Sequence, residues 1–479
     1  MCALNAMTIK PEQAVYTLVV GLGKTGLSVV RYLHALGESI VVVDSRDIPP
    51  GLAALKQDFS DVKYHAGKFD KKIFVNAHRI IVSPGVSLAE PALLEARNNN
   101  IEIIGDIDLF AHEAQAPVVG ITGSNGKSTV TTLMAAMAAD AGLKAVACGN
   151  IGVPVLDALN DEVDLYVIEL SSFHLDTLQY LPMKASVVLN ISADHLDRYE
   201  NISAYASSKQ AIYSHAETLV VNKDDALAGS VVDADKARIS FTLDVPGRGE
   251  FGLRHDSSGE TSLYHGERYL ISARQVRLKG VHNIQNVLAA LALGYAIGLP
   301  LESMMETLKT FKGLPHRTQL VADIDGVSWI NDSKATNVGA AIAALVGLAG
   351  KHIWIAGGEA KEADFSELTE VVRKHCRAVV LIGKDTDLIK AVLPQDIAVA
   401  YAADMASAVS AAQSLAKPGD NVLLAPACAS FDMFDNFEHR GEVFIREVEK
   451  LRSGVAVSYT HLTLPTTRQR CRSRWGPDQ

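Results

Sequence analysis

The stretch Val118-Val-Gly-Ile-Thr-Gly-Ser-Asn-Gly-Lys-Ser-Thr129 has the residue types and order that hold a nucleoside triphosphate. An apolar strand runs into a loop of small residues, and a helix-forming segment follows through Met137. Backbone N–H groups of Thr122, Gly123, Ser124, Asn125 and Gly126 can wrap phosphate oxygens. The Lys127 ammonium can reach terminal phosphates, the Ser128 hydroxyl can ligate Mg2+, and Thr129 continues the helix start. Ile121 stands where the strict P-loop spacing has its first glycine. Gly-Lys-Ser recurs by chance, but a strand before it and a helix after it make nucleotide binding the expectation.

A second glycine loop, Gly21-Leu-Gly-Lys-Thr-Gly26, also follows an apolar run and opens a helical stretch over Leu27–Leu36. Asp44 ends the next strand, at the spacing of a dinucleotide fingerprint. Taken alone, this loop favours an NAD(P)-dependent oxidoreductase; the plainer alternative is a turn that packs strand on helix. Val82-Ser-Pro-Gly-Val86 adds a strand end with a Pro-Gly turn at the same sheet edge. Glu169 closes the apolar run Tyr166-Val-Ile-Glu-Leu170, where a carboxylate can meet a loop-bound metal or cap the Ser171–Ser172 turn. The residues by themselves do not choose between these roles.

Elements of one kind must carry these groups. Short Val, Ile and Leu runs at 16–20, 39–43, 118–121, 165–170, 186–189, 352–356, 378–382 and 421–424 alternate with amphipathic stretches. Parallel strands covered on both faces read this way, so the fold class is α/β. At about 150 residues per domain the chain makes three domains. Breaks at Ala114-Gln-Ala-Pro117 and Phe311–Arg317 divide it into 1–114, 115–313 and 314–455. Residues 235–275 alternate around Gly, Asp and Ser turns, as a small antiparallel excursion does. The pattern stops near Ala456, and 456–479 reads as a non-native or disordered tail.

Bulk properties exclude several classes. Acidic residues outnumber basic ones by 55 to 45, so nucleic acid is not the expected partner. Five scattered cysteines without a CxxC pair argue for reduced thiols and a cytoplasmic location. Met1–Gln13 has no apolar h-region, and the longest apolar stretch, Val287–Leu299, is too short to span a bilayer. It reads as a buried helix in a soluble protein with no membrane partner.

Thr122–Thr129 resembles the ATP loop of the Mur ligases and of their relative, folylpolyglutamate synthase. Further motifs stand in the order this family uses: Gly149-Asn-Ile-Gly152, Glu169-Leu-Ser-Ser-Phe173, Asn190–Tyr199, Tyr205-Ala-Ser-Ser-Lys209 and His282-Asn-Ile-Gln-Asn286. Leu314-Pro-His-Arg317, Asn331–Asn337 and Pro426–Phe434 complete the set. From about residue 15 to 450 the chain is similar to the D-glutamate-adding branch of the family. The resemblance implies a Rossmann-like N-terminal domain, a central P-loop-type ATPase domain and a Rossmann-like C-terminal domain.

It also implies a reaction: ATP-dependent addition of D-glutamate to UDP-N-acetylmuramoyl-L-alanine through an acyl phosphate, in peptidoglycan precursor synthesis. The first glycine loop is then a UDP site, with Lys24, Thr25, Ser45, Arg46 and Gly85 around the uridine and diphosphate. Asn150 donates to a phosphate or acyl oxygen. Asn283 and Asn286 take the adenine edge, Arg317 clamps phosphate, and Asp332 contacts ribose. Ser128, Glu169, His195 and Lys209 serve Mg2+, Lys209 as a carbamate made with CO2, and Lys127, Asn150, His195 and Lys209 carry catalysis.

Lys334, Thr336, Lys361, Ser430 and Phe437 surround D-glutamate. The loop Gly357-Gly-Glu-Ala-Lys361 departs from the family's Gly-Gly-Asp-Gly-Lys, and a less flexible Ala360 could shift the lysine. Partners are small molecules, the state is a monomer, and closure is expected near 311–317. The competing readings are the oxidoreductase, a non-catalytic nucleotide-binding protein, and a sibling ligase or folylpolyglutamate synthase.

Overall fold

The computed structural model describes residues 16–192, 194, 198–230, 235–278, 280–360 and 363–452. The expectations for His195, Lys361 and the 456–479 segment fall outside those residues.

Each of three domains is built on its own sheet. The first has five parallel strands in the order Lys63–Ala66, Ile40–Asp44, Thr17–Val20, Arg79–Val82 and Glu102–Ile104. Thr17–Val20 and Ile40–Asp44 are buried throughout, as near-continuous β-branched runs are when helices cover both faces.

In the second sheet, the phosphate-loop strand Val118–Thr122 lies between Leu165–Glu169 and Met183–Val188, parallel to both. This juxtaposition sets the functional residues together, because parallel strands deliver their following turns to one edge. At the far edge, Phe251–His255, Thr261–His265 and Arg268–Ser272 form the antiparallel excursion read from the alternation. The third sheet runs Gln319–Ile324, Val327–Asn331, Asn421–Leu424, His352–Ala356, Cys376–Ile382 and Ala398–Ala402, with the first strand antiparallel.

The apolar stretch near 287–299 is a helix, Val281–Ala296, with Val287 to Gly294 buried. It shares a core with Val119, Ile121, Val130, Leu133 and Met137 of the phosphate-loop strand and helix. Its polar first turns, with Asn283 and Asn286, are thereby carried to the loop. Helices of the first and second domains are joined by an Arg31–Asp157 pair. Backbone N–H groups of Gln179 and Tyr180 donate to Asp108 at 2.8 and 3.0 Å across the same junction. No described helix is long and apolar enough to cross a membrane.

Candidate functional site

The phosphate loop has its shape because glycine occupies two positions that no side chain could share. Gly123 and Gly126 have φ of 148° and 86°. A Cβ on Gly126 would lie 2.3 Å from Asn286 Oδ1, and one on Gly123 2.9 Å from Leu189 Cβ. The Lys127 ammonium folds over the loop and donates to the Gly123 and Ser124 carbonyls at 2.7 and 2.9 Å.

The turn after Met183–Val188 braces the loop. Asn125 N–H donates to Asn190 Oδ1 at 2.8 Å, and Asn190 Nδ2 returns a bond to Asn125 O at 3.1 Å. Ser192 N–H donates to Ser124 Oγ at 3.0 Å, and Thr122 Oγ1 donates to Leu170 O at 2.7 Å. Sequence reasoning gave Asn190 and Ser192 no role of their own; the signal available was an apolar strand ending in a polar amide.

Around the loop the structure gathers Ser128, Asn150, Glu169, Lys209 and Arg317. Arg317 Nη2 donates to Ser128 Oγ at 2.7 Å, so the third domain reaches the second at this hydroxyl. Asn150 Nδ2 donates to Glu169 Oε1 at 2.7 Å. Glu169 Oε2 is buried with no hydrogen-bond partner, a state that carries a desolvation cost unless something else meets the oxygen. Among the described residues no three His, Cys, Asp or Glu side chains converge as a metal site. A cation here would need mixed donors.

Three lysines crowd this region. Burial pulls the Lys127 amine below its ordinary range against the pull of Glu169 and Asp194. Lys209 is 2% exposed, with Nζ 4.7 Å from the Tyr205 ring centroid. Burial, and then the Lys127 charge, hold its amine well below the usual lysine range. Lys334 is pulled down to about 8 by burial, Arg317 and Lys127. Amines depressed in this way are nucleophiles or proton acceptors at lower pH than surface lysines.

The third domain adds a tight cluster. Lys334 Nζ sits 4.0 Å from the Phe437 ring centroid, and Ser333 Oγ donates to Phe437 O at 2.8 Å. The buried Arg440 donates to Ser333 Oγ and O and to Cys428 and Ala429 carbonyls, fixing the loop that holds the buried Ser430. Thr336 N–H donates to Lys334 O at 2.7 Å. Asp332 is buried, accepts from Thr318 Oγ1 at 3.4 Å, and is pushed up to about 6 by burial. In the departing loop, Gly357 and Gly358 take φ of 123° and 131°, whereas Ala360 has no positive φ. Alanine there costs no backbone strain, and its N–H is held by Asp385 Oδ2 at 2.8 Å.

In the first domain, Lys24 and Thr25 open the helix Lys24–Ala35, while Ser45, Arg46 and Gly85 are exposed at strand carboxyl ends. The Asp44 carboxylate accepts from Leu22 N–H at 2.7 Å and from Arg46 Nε and Nη2 at 2.8 and 2.7 Å. Both oxygens are committed to the loop and the arginine. The acceptor that an NAD ribose uses in a dinucleotide fold is therefore engaged, which removes the main support for the oxidoreductase reading.

The second and third domains meet in a strained turn: Gly313, His316 and Thr318 have φ of 84°, 60° and 45°. His282 Nε2 lies 3.1 Å from Thr318 Oγ1, and burial holds its imidazole down to about 4 against the ordinary 6.5. The folded protein thus takes up this proton less readily than the unfolded chain. The stability at stake is fully present above pH 6.5 and is lost as pH falls toward 4, on the order of 2 kcal/mol for a part-exposed ring. His282→Gln keeps a donor and is expected to flatten this acid-side loss. Thermal melts of both proteins between pH 7 and 4 check it, and parallel curves would contradict it.

Comparisons with known proteins cover most of the chain. The model described as Mur ligase MurD-like, N-terminal domain matches residues 15–105. Mur ligase middle domain matches 121–294, and Mur ligase, glutamate ligase domain matches 316–428. The UDP-N-acetylmuramoylalanine–D-glutamate ligase of Nitrosococcus oceani is 49% identical over 448 residues, 93% of this chain and 99% of the relative. That of Pseudomonas fluorescens is 47% identical over 91% of this chain and 98% of its own. Among solved structures, MurF ligase from Thermotoga maritima in complex with ADP superposes with a TM-score of 0.58. It is 17% identical, over 92% of this chain and 100% of that one, a likeness of fold.

Proposed function

The chain belongs to the Mur ligase family, and on that premise we infer that its two glycine loops serve one amide-forming reaction. It is an ATP-dependent ligase that adds D-glutamate to UDP-N-acetylmuramoyl-L-alanine in peptidoglycan synthesis. The observation that carries the chemistry is the convergence of Lys127, Ser128, Glu169, Lys209 and Arg317 at one sheet edge.

The acceptor carboxylate attacks the γ-phosphorus of ATP, giving an acyl phosphate and ADP. The D-glutamate amine then attacks the acyl carbon, phosphate leaves, and an amide remains. Lys127 and Arg317 face the transferred oxygens, with Thr129 in the first turn. The expected cradle of five N–H groups from Thr122 to Gly126 is smaller, because Ser124 and Asn125 give theirs to Asn190 O and Oδ1 at 2.9 and 2.8 Å. Asn286 lies beside Gly126 and donates to Asn283 Oδ1 at 3.3 Å, and Asp332 lies beside Thr318, which supports a nucleotide along this seam.

Mg2+ fits the donors present, since the unpartnered Glu169 Oε2 and the Ser128 hydroxyl are hard oxygen ligands. When bound, the ion neutralises phosphate charge. Lys209 supplies a further oxygen donor once its neutral amine attacks CO2, forming an N–C bond and releasing a proton. His195 is assigned to the same metal by its place in the family motif alone. Lys24, Thr25, Ser45, Arg46, Gly85 and Asn150 hold the UDP acceptor. Lys334, Thr336, Lys361, Ser430 and Phe437 hold D-glutamate. The protein works as a cytoplasmic monomer on small-molecule substrates.

Phosphate release is measured with the UDP acceptor, ATP and Mg2+ against D-glutamate, L-glutamate, L-alanine and meso-diaminopimelate. Release is expected with D-glutamate; release with another amino acid and not with D-glutamate overturns the assignment.

A further inference from the structure

One carboxylate beside the site has no part in the chemistry above, yet it ties together two segments that carry it. Asp176 follows the one-turn helix Ser172–Leu175, seven residues after Glu169, and its N–H donates to Ser172 O at 2.9 Å. Asp176 Oδ1 accepts from Ser208 Oγ at 2.6 Å, and Oδ2 accepts from Tyr199 OH at 2.7 Å. Ser208 Oγ also lies 3.2 Å from Ser172 O. Ser208 immediately precedes Lys209 in the helix Ile202–Gln210. The Tyr199 ring stacks near-parallel on Phe173 and packs 5.2 Å from Tyr205, the ring beneath the Lys209 amine.

We propose that Asp176 is a positioning residue: through Ser208 and Tyr199 it sets the rotation of the Lys209 helix against the turn that follows Glu169. This rests on the reading of Lys209 as a carbamate-forming residue. The physical need is clear. A helix of nine residues is not rigid by itself, and a long side chain amplifies any roll about the helix axis. Asn201 caps the helix at its start, with Oδ1 accepting from Ala204 N–H at 3.0 Å. Asp176 supplies the polar tie near the other end. The carboxylate is open to solvent, so it is held without a large desolvation penalty and both oxygens are spent on the two hydroxyls. An asparagine can accept from one hydroxyl and donate to the other, so Asp176→Asn keeps the tie while removing a negative charge that favours the protonated Lys209 amine.

The test reads the carbamate directly. Full-length protein, without ATP or acceptor, is titrated with 13C-bicarbonate and followed by 13C NMR. Wild type is expected to show a carbamate resonance that Lys209→Ala lacks. Asp176→Ala is expected to raise the half-saturating bicarbonate about tenfold, the usual scale for outer residues that orient a ligand. Asp176→Asn is expected within about threefold of wild type by the same scale. Ser208→Ala, which cuts one link and leaves the carboxylate, rises between the two and stands in if Asp176→Ala does not fold. Wild-type saturation in both alanine variants overturns the proposal, as does an Asp176→Asn loss equal to that of Asp176→Ala. Absence of the resonance from wild type instead overturns the carbamate reading, and the inference with it.

Discussion

Lys127→Ala is expected to lower kcat/KM about a thousandfold, the scale on which removal of a positioned transition-state donor or cation is felt. The ammonium folds over the loop, with the Gly123 and Ser124 carbonyls at 2.7 and 2.9 Å holding it there. Burial works against the charge, and Glu169 and Asp194 work for it. A cation kept in this setting is costly to the apo protein and strong toward phosphate, because little water remains to screen it. Lys127→Arg keeps the charge but needs a planar fork where a single ammonium fits between Gly123 and Ser124 carbonyls. It should restore less than about a tenth of the activity. ADP release with saturating acceptor and D-glutamate measures both variants. The acceptor KM is expected to stay near wild type, since the loop proposed to hold UDP lies in another domain, and the thermal midpoint should be no lower. An alanine variant within tenfold of wild type would remove Lys127 from the phosphate-transfer step.

What the residues revealed in advance, and what they hid, follows from how local each feature is. The phosphate loop was readable because strand, small-residue turn and helix are contiguous, and the α/β class because buried parallel strands are continuous apolar runs. The partners of the loop were not. Asn190 reaches Asn125 across 65 residues, and nothing local in Leu-Asn-Ile-Ser reports which turn it will face. Strand order is likewise a long-range property: Val118–Thr122 is flanked by strands that follow it by about 47 and 65 residues. The first loop shows the opposite hazard. Its glycines and Asp44 fit a dinucleotide fingerprint, but Arg46, two residues on, takes the carboxylate the cofactor would need. A motif states which backbone shape is possible, and the neighbouring side chains decide what can bind in it. Asp176 was invisible for a related reason, since its partners come from a loop and a helix 23 and 32 residues away.

Lys209→Met is expected to cost about a hundredfold or more in kcat, the effect of losing a ligand-side oxygen donor at a phosphoryl-transfer site. It should also make the protein more stable near neutral pH. Both follow from the same burial. The side chain is 2% exposed, and burial with the adjoining Lys127 charge holds the amine well below its usual range. The unfolded chain therefore binds this proton more readily than the folded one. Stability is lost as pH falls through the unfolded range toward the depressed folded value, and methionine, of similar length and without a charge, is spared that loss. On the proposed carbamate reading the depressed amine has its use in catalysis, because only the neutral form attacks CO2. Acidification protonates it and weakens carbamate formation, so activity should fall on the acid side. Added bicarbonate should move that limb to lower pH, whereas the methionine variant should not respond. Wild type in CO2-depleted buffer is expected to lose turnover and regain it with bicarbonate. Full wild-type activity after CO2 depletion, or a methionine variant above a tenth of wild type, would leave Lys209 as a buried structural amine. The higher melting point of the variant would then have no functional counterpart.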